Sequence, residues 1–204
     1  MPKNSINIHR EFQNKVNELD RIRGNFEIAF SAGNINANDI IQAYSGLYLE
    51  TFTYFENLIE TLFLGLISGS VSHHNSLISR KIKIKPASEV QSVVFAQKNY
   101  LDWLPISLTI PRANIYFTDG KPFSLLTNDQ NKKLTNYHKI RNAIAHKSSK
   151  ALSEFEKIID GLTLLPIEKS PTGYLRNIPN LSTNKTQLQI ISEELLAISF
   201  TLCN

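Results

Sequence analysis

The stretch DIIQAYSGLYLETFTYFENLIETLFLGL, residues 39–66, decides the fold class. Positions Ile40, Tyr44, Leu47, Thr51, Phe55, Leu58, Leu62 and Leu66 step by three and four throughout, the period of one helix face. Turning each residue by about 100° carries Glu50, Thr53, Asn57 and Glu60 to the opposite side. The spacing predicts one long helix, central to a bundle, entered from a Gly/Asn-rich break at residues 33–38 with Asp39 able to cap it.

Working outward, Phe12, Val16, Leu19, Ile22, Phe26 and Phe30 predict an N-terminal helix over about residues 7–31. Leu188, Ile191, Leu195, Ile198 and Leu202 predict a last one over about residues 185–203. Between them, Ser88 and Gln91 have capping-box spacing and predict a third helix that ends before Pro105. Thr127 and Gln130 have the same spacing and open a fourth helix that runs to about Lys147. A short fifth helix follows from about Lys150 to Ile159, closed by Gly161. Residues 106–123, with Asp119-Gly120 after Ile115, Tyr116 and Phe117, permit a small hairpin. Residues 162–184, with three prolines and Gly173, read as irregular. The alternation Arg80, Lys81, Ile82, Lys83, Ile84, Lys85 suits a short edge strand or an extended solvated segment. The expectation is a single all-α domain over residues 1–204, a bundle of about five to six helices with irregular connections.

Composition agrees with a folded chain. Of 204 residues, 42% are hydrophobic and 20% charged, too apolar for a disordered protein. The single cysteine, Cys203, allows no internal disulfide, and MPKNSINIHREFQ lacks the apolar core of a secretory leader, so the expected compartment is the cytoplasm. The longest uncharged stretch, residues 61–79, carries Ser68, Ser70, His73, His74 and Asn75, which argues against a membrane span. No Walker or Rossmann glycine pattern is present, and no cofactor is expected.

The chemistry concentrates at residues 135–150. On a helical wheel with His138 at the origin, Tyr137, Ile140 and Ile144 fall at roughly 200–260° and form the buried stripe. Within roughly 80° of the origin lie Thr135, His138, Arg141, Asn142, Ala145, His146 and Ser149. Residues 130–153 contain no acid, while Lys132, Lys133, Lys139, Arg141, Lys147 and Lys150 are all basic. Such a face attracts phosphate. Its residues suit RNA cleavage by attack of the 2′-hydroxyl on its own phosphodiester, which needs a base, an acid and a cation for the phosphorane. Histidine serves either proton role near neutral pH, arginine forks to the non-bridging oxygens, and Asn142 holds the phosphate or the 2′-hydroxyl. One His146 cannot be acid and base in one step, so His138 or a second chain supplies the other group.

The run His138-Lys139-Ile140-Arg141-Asn142-Ala143-Ile144-Ala145-His146 resembles the signature of the HEPN domains, an arginine followed by a polar residue, with a histidine five to seven positions after the arginine. Phe55-Glu56 in the long helix is similar to the preceding HEPN helix. The resemblance covers roughly residues 36–160, with the N- and C-terminal helices as additions. It implies an α-helical bundle whose homodimer joins two Arg/His motifs into one composite, metal-independent endoribonuclease site. Such domains occur in toxin–antitoxin and antiviral systems, so a cognate antitoxin or another defence-system protein is an implied partner besides RNA. Carried onto this chain, Arg141 and His146 are the catalytic pair and Asn142 the assisting residue. His138 rests on the wheel alone, and Glu56 is as readily structural.

Other candidates weigh less. Lys81, Lys83 and Lys85 are candidate RNA contacts alongside Lys139, Lys147 and Lys150. His73-His74 lacks a second pair at metal spacing and reads as a solvated loop, so no metal site is expected. Glu50 and Glu60 read as a polar helix stripe. Arg176-Asn177 repeats two letters of the motif, but no histidine follows. The alternatives to an enzyme are a catalytically inactive HEPN-like module that binds RNA or protein, and a helical interaction domain whose Leu188 to Leu202 stripe packs on a partner chain.

Overall fold

The computed structural model describes residues 1–75 and 78–204. Ser76 and Leu77, inside the uncharged stretch noted above, lie outside the described residues. Among the described residues the chain forms eight α-helices and two strands of two residues each, an all-α fold. No helix among them is long and apolar enough to cross a membrane.

The N-terminal helix, α1 (Ser5–Ser31), buries Ile8, Phe12, Val16 and Leu19 along one stripe. It ends in a Schellman motif: Gly33, at φ 73°, donates to the Phe30 carbonyl, and Asn34 donates to that of Ala29. The central helix, α2 (Ala37–Ser68), starts at Asn36, whose Oδ1 accepts from the Asn38 and Asp39 amides. Asp39 is therefore not the cap. It sits one turn in and accepts from the Asn36 amide at 2.9 Å, closing a reciprocal pair. At its far end Gly65 lies against Val71; a Cβ there would collide with the valine Cγ2. The Ile67 carbonyl accepts from the Arg80 guanidinium at 2.9 Å.

The middle of the chain departs from expectation in two places. The third helix, α3 (Val90–Phe95), is short and lacks the Ser88–Gln91 capping box. Ser88 lies inside a 3-10 turn, Ala87–Glu89, and so lacks the extended backbone an N-cap needs. The helix stops because Ala96 and Gln97 turn left-handed and residues 96–99 offer no apolar face to bury. Residues 106–116 form no hairpin but a helix, α4 (Ile106–Tyr116). Ile106, Thr109 and Ala113 are buried at helical spacing, and Pro111 and Ser107 are exposed, so the missing hydrogen bond opens to water. Asp119 and Gly120 make a tight left-handed turn instead. Residues 80–85 form no strand; one antiparallel bridge joins Arg80 to Phe117.

The remaining helices are α5 (Asn128–His146), α6 (Ser149–Ile159), the single turn α7 (Pro171–Tyr174) and α8 (Gln187–Cys203). Thr127 and Gln130 form the expected capping box on α5, Ser148 caps α6, and Thr186 with Gln189 caps α8. Leu188, Ile191, Leu195, Ile198 and Leu202 are buried within the chain, so that stripe does not await a partner.

The chain divides into two compact units. The first comprises Met1–Gln13, Phe55–Thr135 and Leu196–Asn204. Its core centres on Phe63, ringed by Trp103, Tyr116, Phe117 and Phe123 at centroid distances of 5.1–5.9 Å. Glu60 is no solvated stripe residue: it accepts from the Trp103 indole at 2.7 Å. β1 (Lys3–Asn4) pairs in parallel with β2 (Val71–Ser72). Ser5 donates to the Cys203 carbonyl, and the His73 Nε2 lies 2.9 Å from that of Leu202, so the last carbonyls of α8 are satisfied by side chains. His73 is thus a structural tie and not a free loop residue. The second unit comprises Asn14–Tyr54 and Asn136–Leu195. There Arg176 forks to Glu27 at 2.9 and 3.0 Å and lies over Phe30, which gives the Arg176-Asn177 pair a structural role. Tyr44 also donates to Glu27; its burial and that carboxylate push the phenol up to about 12.

Candidate functional site

The C-terminal half of α5 lies in the second unit and buries Tyr137, Ile140, Ala143 and Ile144. Two contacts from α2 fix its rotation. The Tyr48 hydroxyl, fully buried, donates to the Tyr137 carbonyl at 2.7 Å. One turn further along α2, the Phe52 ring stacks on His138 at 6.2 Å and 27°. These leave His138, Arg141 and Asn142 half-buried and His146 exposed.

Four side chains are joined in series. Arg141 Nη1 donates to Asn142 Oδ1 at 3.2 Å and stands 3.1 Å from His146 Nε2. Asn142 Nδ2 stands 3.4 Å from His138 Nε2. Guanidinium has no acceptor, so in this arrangement His146 Nε2 accepts and its ring proton sits on Nδ1. The amide, its oxygen toward Arg141, points its NH2 at His138, whose Nε2 accepts in turn. The result is a cation flanked by an amide and two imidazoles. It can hold an oxyanion and has two groups able to move a proton.

Not every residue of the wheel joins this cluster. α5 ends at His146 because Lys147 turns left-handed at φ 48°, so Ser149 opens α6 and leaves the face. Thr135 turns its hydroxyl to the Asn131 carbonyl. Asn142 and His146, four apart, do not pair; the partner of His146 is Arg141. Lys139 forms an ion pair with Glu154 at 2.7 Å. The hydrogen bonds from Lys139 and Lys157 hold that carboxyl down at about 2. Lys147 and Lys150 are exposed. Lys81, Lys83 and Lys85 are exposed too, but belong to the first unit, where Lys81 Nζ donates to the Asn114 carbonyl. Glu56 is half-buried and also belongs to the first unit.

Tyr48 and Phe52 position the site and were not legible as its parts, since neither belongs to the three-four stripe by which the sequence defines α2. Among the described residues no three His, Cys, Asp or Glu side chains converge as a metal-holding group. Cys203 is fully buried, and burial pushes its thiol up to about 12, leaving no thiolate nucleophile at neutral pH. No protein-family profile, curated protein or solved structure matches this chain.

Proposed function

We propose that this chain is a metal-independent endoribonuclease of the HEPN type, acting as a homodimer in a toxin or antiviral system. The observation that carries the reading is the Arg141 guanidinium held between Asn142 and His146 on a helix that buries its other face. The all-α fold and the long α2 preceding α5 agree with the HEPN resemblance, whose core spans α2 to α6.

In the resting site the lone pair of His146 Nε2 accepts from Arg141. A phosphodiester competes for the same N–H groups, since charge-assisted bonds to phosphate are the stronger. Arg141 turns to the non-bridging oxygens and releases Nε2 to the 2′-hydroxyl. That imidazole takes the proton, the 2′-oxygen forms its bond to phosphorus, and the bond to the 5′-oxygen breaks as a protonated imidazole supplies its proton. The products are a 2′,3′-cyclic phosphate and a 5′-hydroxyl. Arg141 carries the charge of the phosphorane. The second imidazole comes from the two-fold partner's His146 or from His138, which the Asn142 amide links to Arg141.

Incubating the protein with cellular RNA in excess EDTA tests the reading. Cyclic-phosphate ends are expected, and His146→Ala or Arg141→Ala abolishes them without lowering the thermal midpoint, because His146 is exposed and Arg141 half-buried. Undiminished cleavage by both variants removes the site assignment. Affinity for RNA with a steep salt dependence and no product identifies the inactive binding module instead.

A further inference from the structure

Between the end of α3 at Phe95 and the first turns of α4, the first unit contains an open cavity of about 610 Å³. That volume suits a small organic ligand. Three kinds of side chain converge on it. Tyr100 is 74% exposed, and so offers nearly its whole ring. Lys98 and Arg112 bring two positive charges, and Asp102 brings one carboxylate. The amides of Gln97 and Asn99 complete the polar lining.

Arg112 is ordered before any ligand arrives. Its guanidinium lies 5.0 Å over the ring of Trp103, which is buried and anchored through its indole to Glu60, and it donates to the Asp102 carbonyl at 3.4 Å. Burial lowers the Arg112 pKa, and the attraction of Asp102 does not restore it. A half-desolvated cation of this kind gains most from an added anion. Opposite demands therefore meet in one cavity: an aromatic face wants a flat ring, the cations want an anion, and the carboxylate wants hydroxyl donors. A ribonucleotide carries all three, in its base, its phosphate and its ribose diol.

The geometry points to a ribonucleotide-binding site between α3 and α4, with the base stacked on Tyr100, the phosphate held by Lys98 and Arg112, and the ribose hydroxyls donating to Asp102. The source is either a free nucleotide or one nucleotide of a single-stranded RNA. The site stands apart from the cleavage reading, since none of its residues belongs to the Arg141 cluster.

Trp103 is the chain's only tryptophan, and its stacked partner Arg112 lines the cavity, so its emission reports occupancy directly. The titration uses the full chain carrying His146→Ala, so that no probe is cut, and adds adenosine 5′-monophosphate or a short oligoadenylate. A saturable change in emission is expected. Tyr100→Ala weakens binding by at least about fivefold, the loss of one base stack. Lys98→Ala weakens it and lowers the logarithmic salt slope by about one. The 2′-deoxy nucleotide binds about tenfold more weakly, for one hydrogen bond to a charged group. Both substituted side chains are exposed, and an unchanged thermal midpoint confirms that the variants fold. Binding of the monophosphate alone identifies a free nucleotide as the source, and tighter binding of the oligomer identifies a strand. No saturable change with either probe overturns the proposal. So does ribose 5-phosphate binding as tightly as the nucleotide, or a Tyr100→Ala chain that binds unchanged. Cleavage by the parent chain is measured separately, so either reading can fail without the other.

Discussion

Arg141 serves two acceptors with one nitrogen, the Asn142 amide and the His146 imidazole. The wheel places His138, Arg141, Asn142 and His146 on one face because helical spacing is local, but it includes Thr135 and Ser149, which do not join them. Asn142 and His146 lie four apart on one ridge, yet the longer Arg141 side chain reaches His146 and leaves Asn142 to bridge back to His138. Asn142→Ala removes that bridge. Each lost hydrogen bond is worth about 1 kcal/mol, so single-turnover cleavage is expected to fall by about tenfold or more while the melting midpoint falls by only a few degrees. His9 shows what one buried imidazole does to stability. Ser199 gives its hydroxyl proton to the Leu196 carbonyl and so accepts from His9 Nδ1 at 2.7 Å, which puts a proton on Nδ1. Burial, aided by Arg10, holds its pKa below 6.5. As pH falls through about 6.5 the unfolded chain binds the proton first, so stability is full above that value and declines toward the lower folded pKa. Thermal midpoints measured from about pH 8 to about pH 5 should drop, and His9→Gln, which still donates to Ser199, should flatten that component.

At the scale of elements, the long periodic segments and the caps were legible. α1, α2, α5 and α8 lie where the sequence put them, and of the two capping boxes read from spacing the Thr127/Gln130 pair forms, while the Thr186/Gln189 box that opens α8 went unread. The failures share a cause. Ser88 had the right spacing but was drawn into a 3-10 turn, and the Asp119-Gly120 pair suggested a hairpin where Ile106, Thr109 and Ala113 had a helical face to bury. Burial of that face outweighed Pro111, whose missing hydrogen bond faces water. Phe63 is the anchor of this region, fully buried among four aromatic rings. Phe63→Ala should cost about 3–5 kcal/mol and Phe63→Leu distinctly less, read from urea midpoints at unchanged m. Both should shift Trp103 emission, because that ring packs 5.1 Å from Phe63.

At the scale of the molecule, each unit is stitched from segments far apart in sequence. The first needs both chain ends: Ser5 and His73 satisfy the carbonyls of Cys203 and Leu202, and His9 meets Ser199 and Phe200. Removing residues 196–204 should therefore unfold the first unit. The measurement is loss of the Trp103 emission typical of a buried indole, together with loss of helical circular dichroism well beyond the few residues deleted. Retention of both signals would show that the segment is dispensable.

The sequence by itself determined the all-α class, the four long helices and the helix face on which the Arg141 cluster forms. All three depend on spacing along one helix, which neighbouring residues dictate. Only the tertiary structure decided that His138 faces Phe52, that Lys139 is tied to Glu154, that the α8 stripe is buried in its own chain, and that Tyr100 and Arg112 share a cavity. Those facts depend on which distant surfaces meet, and helical periodicity says which face is apolar without naming what will cover it.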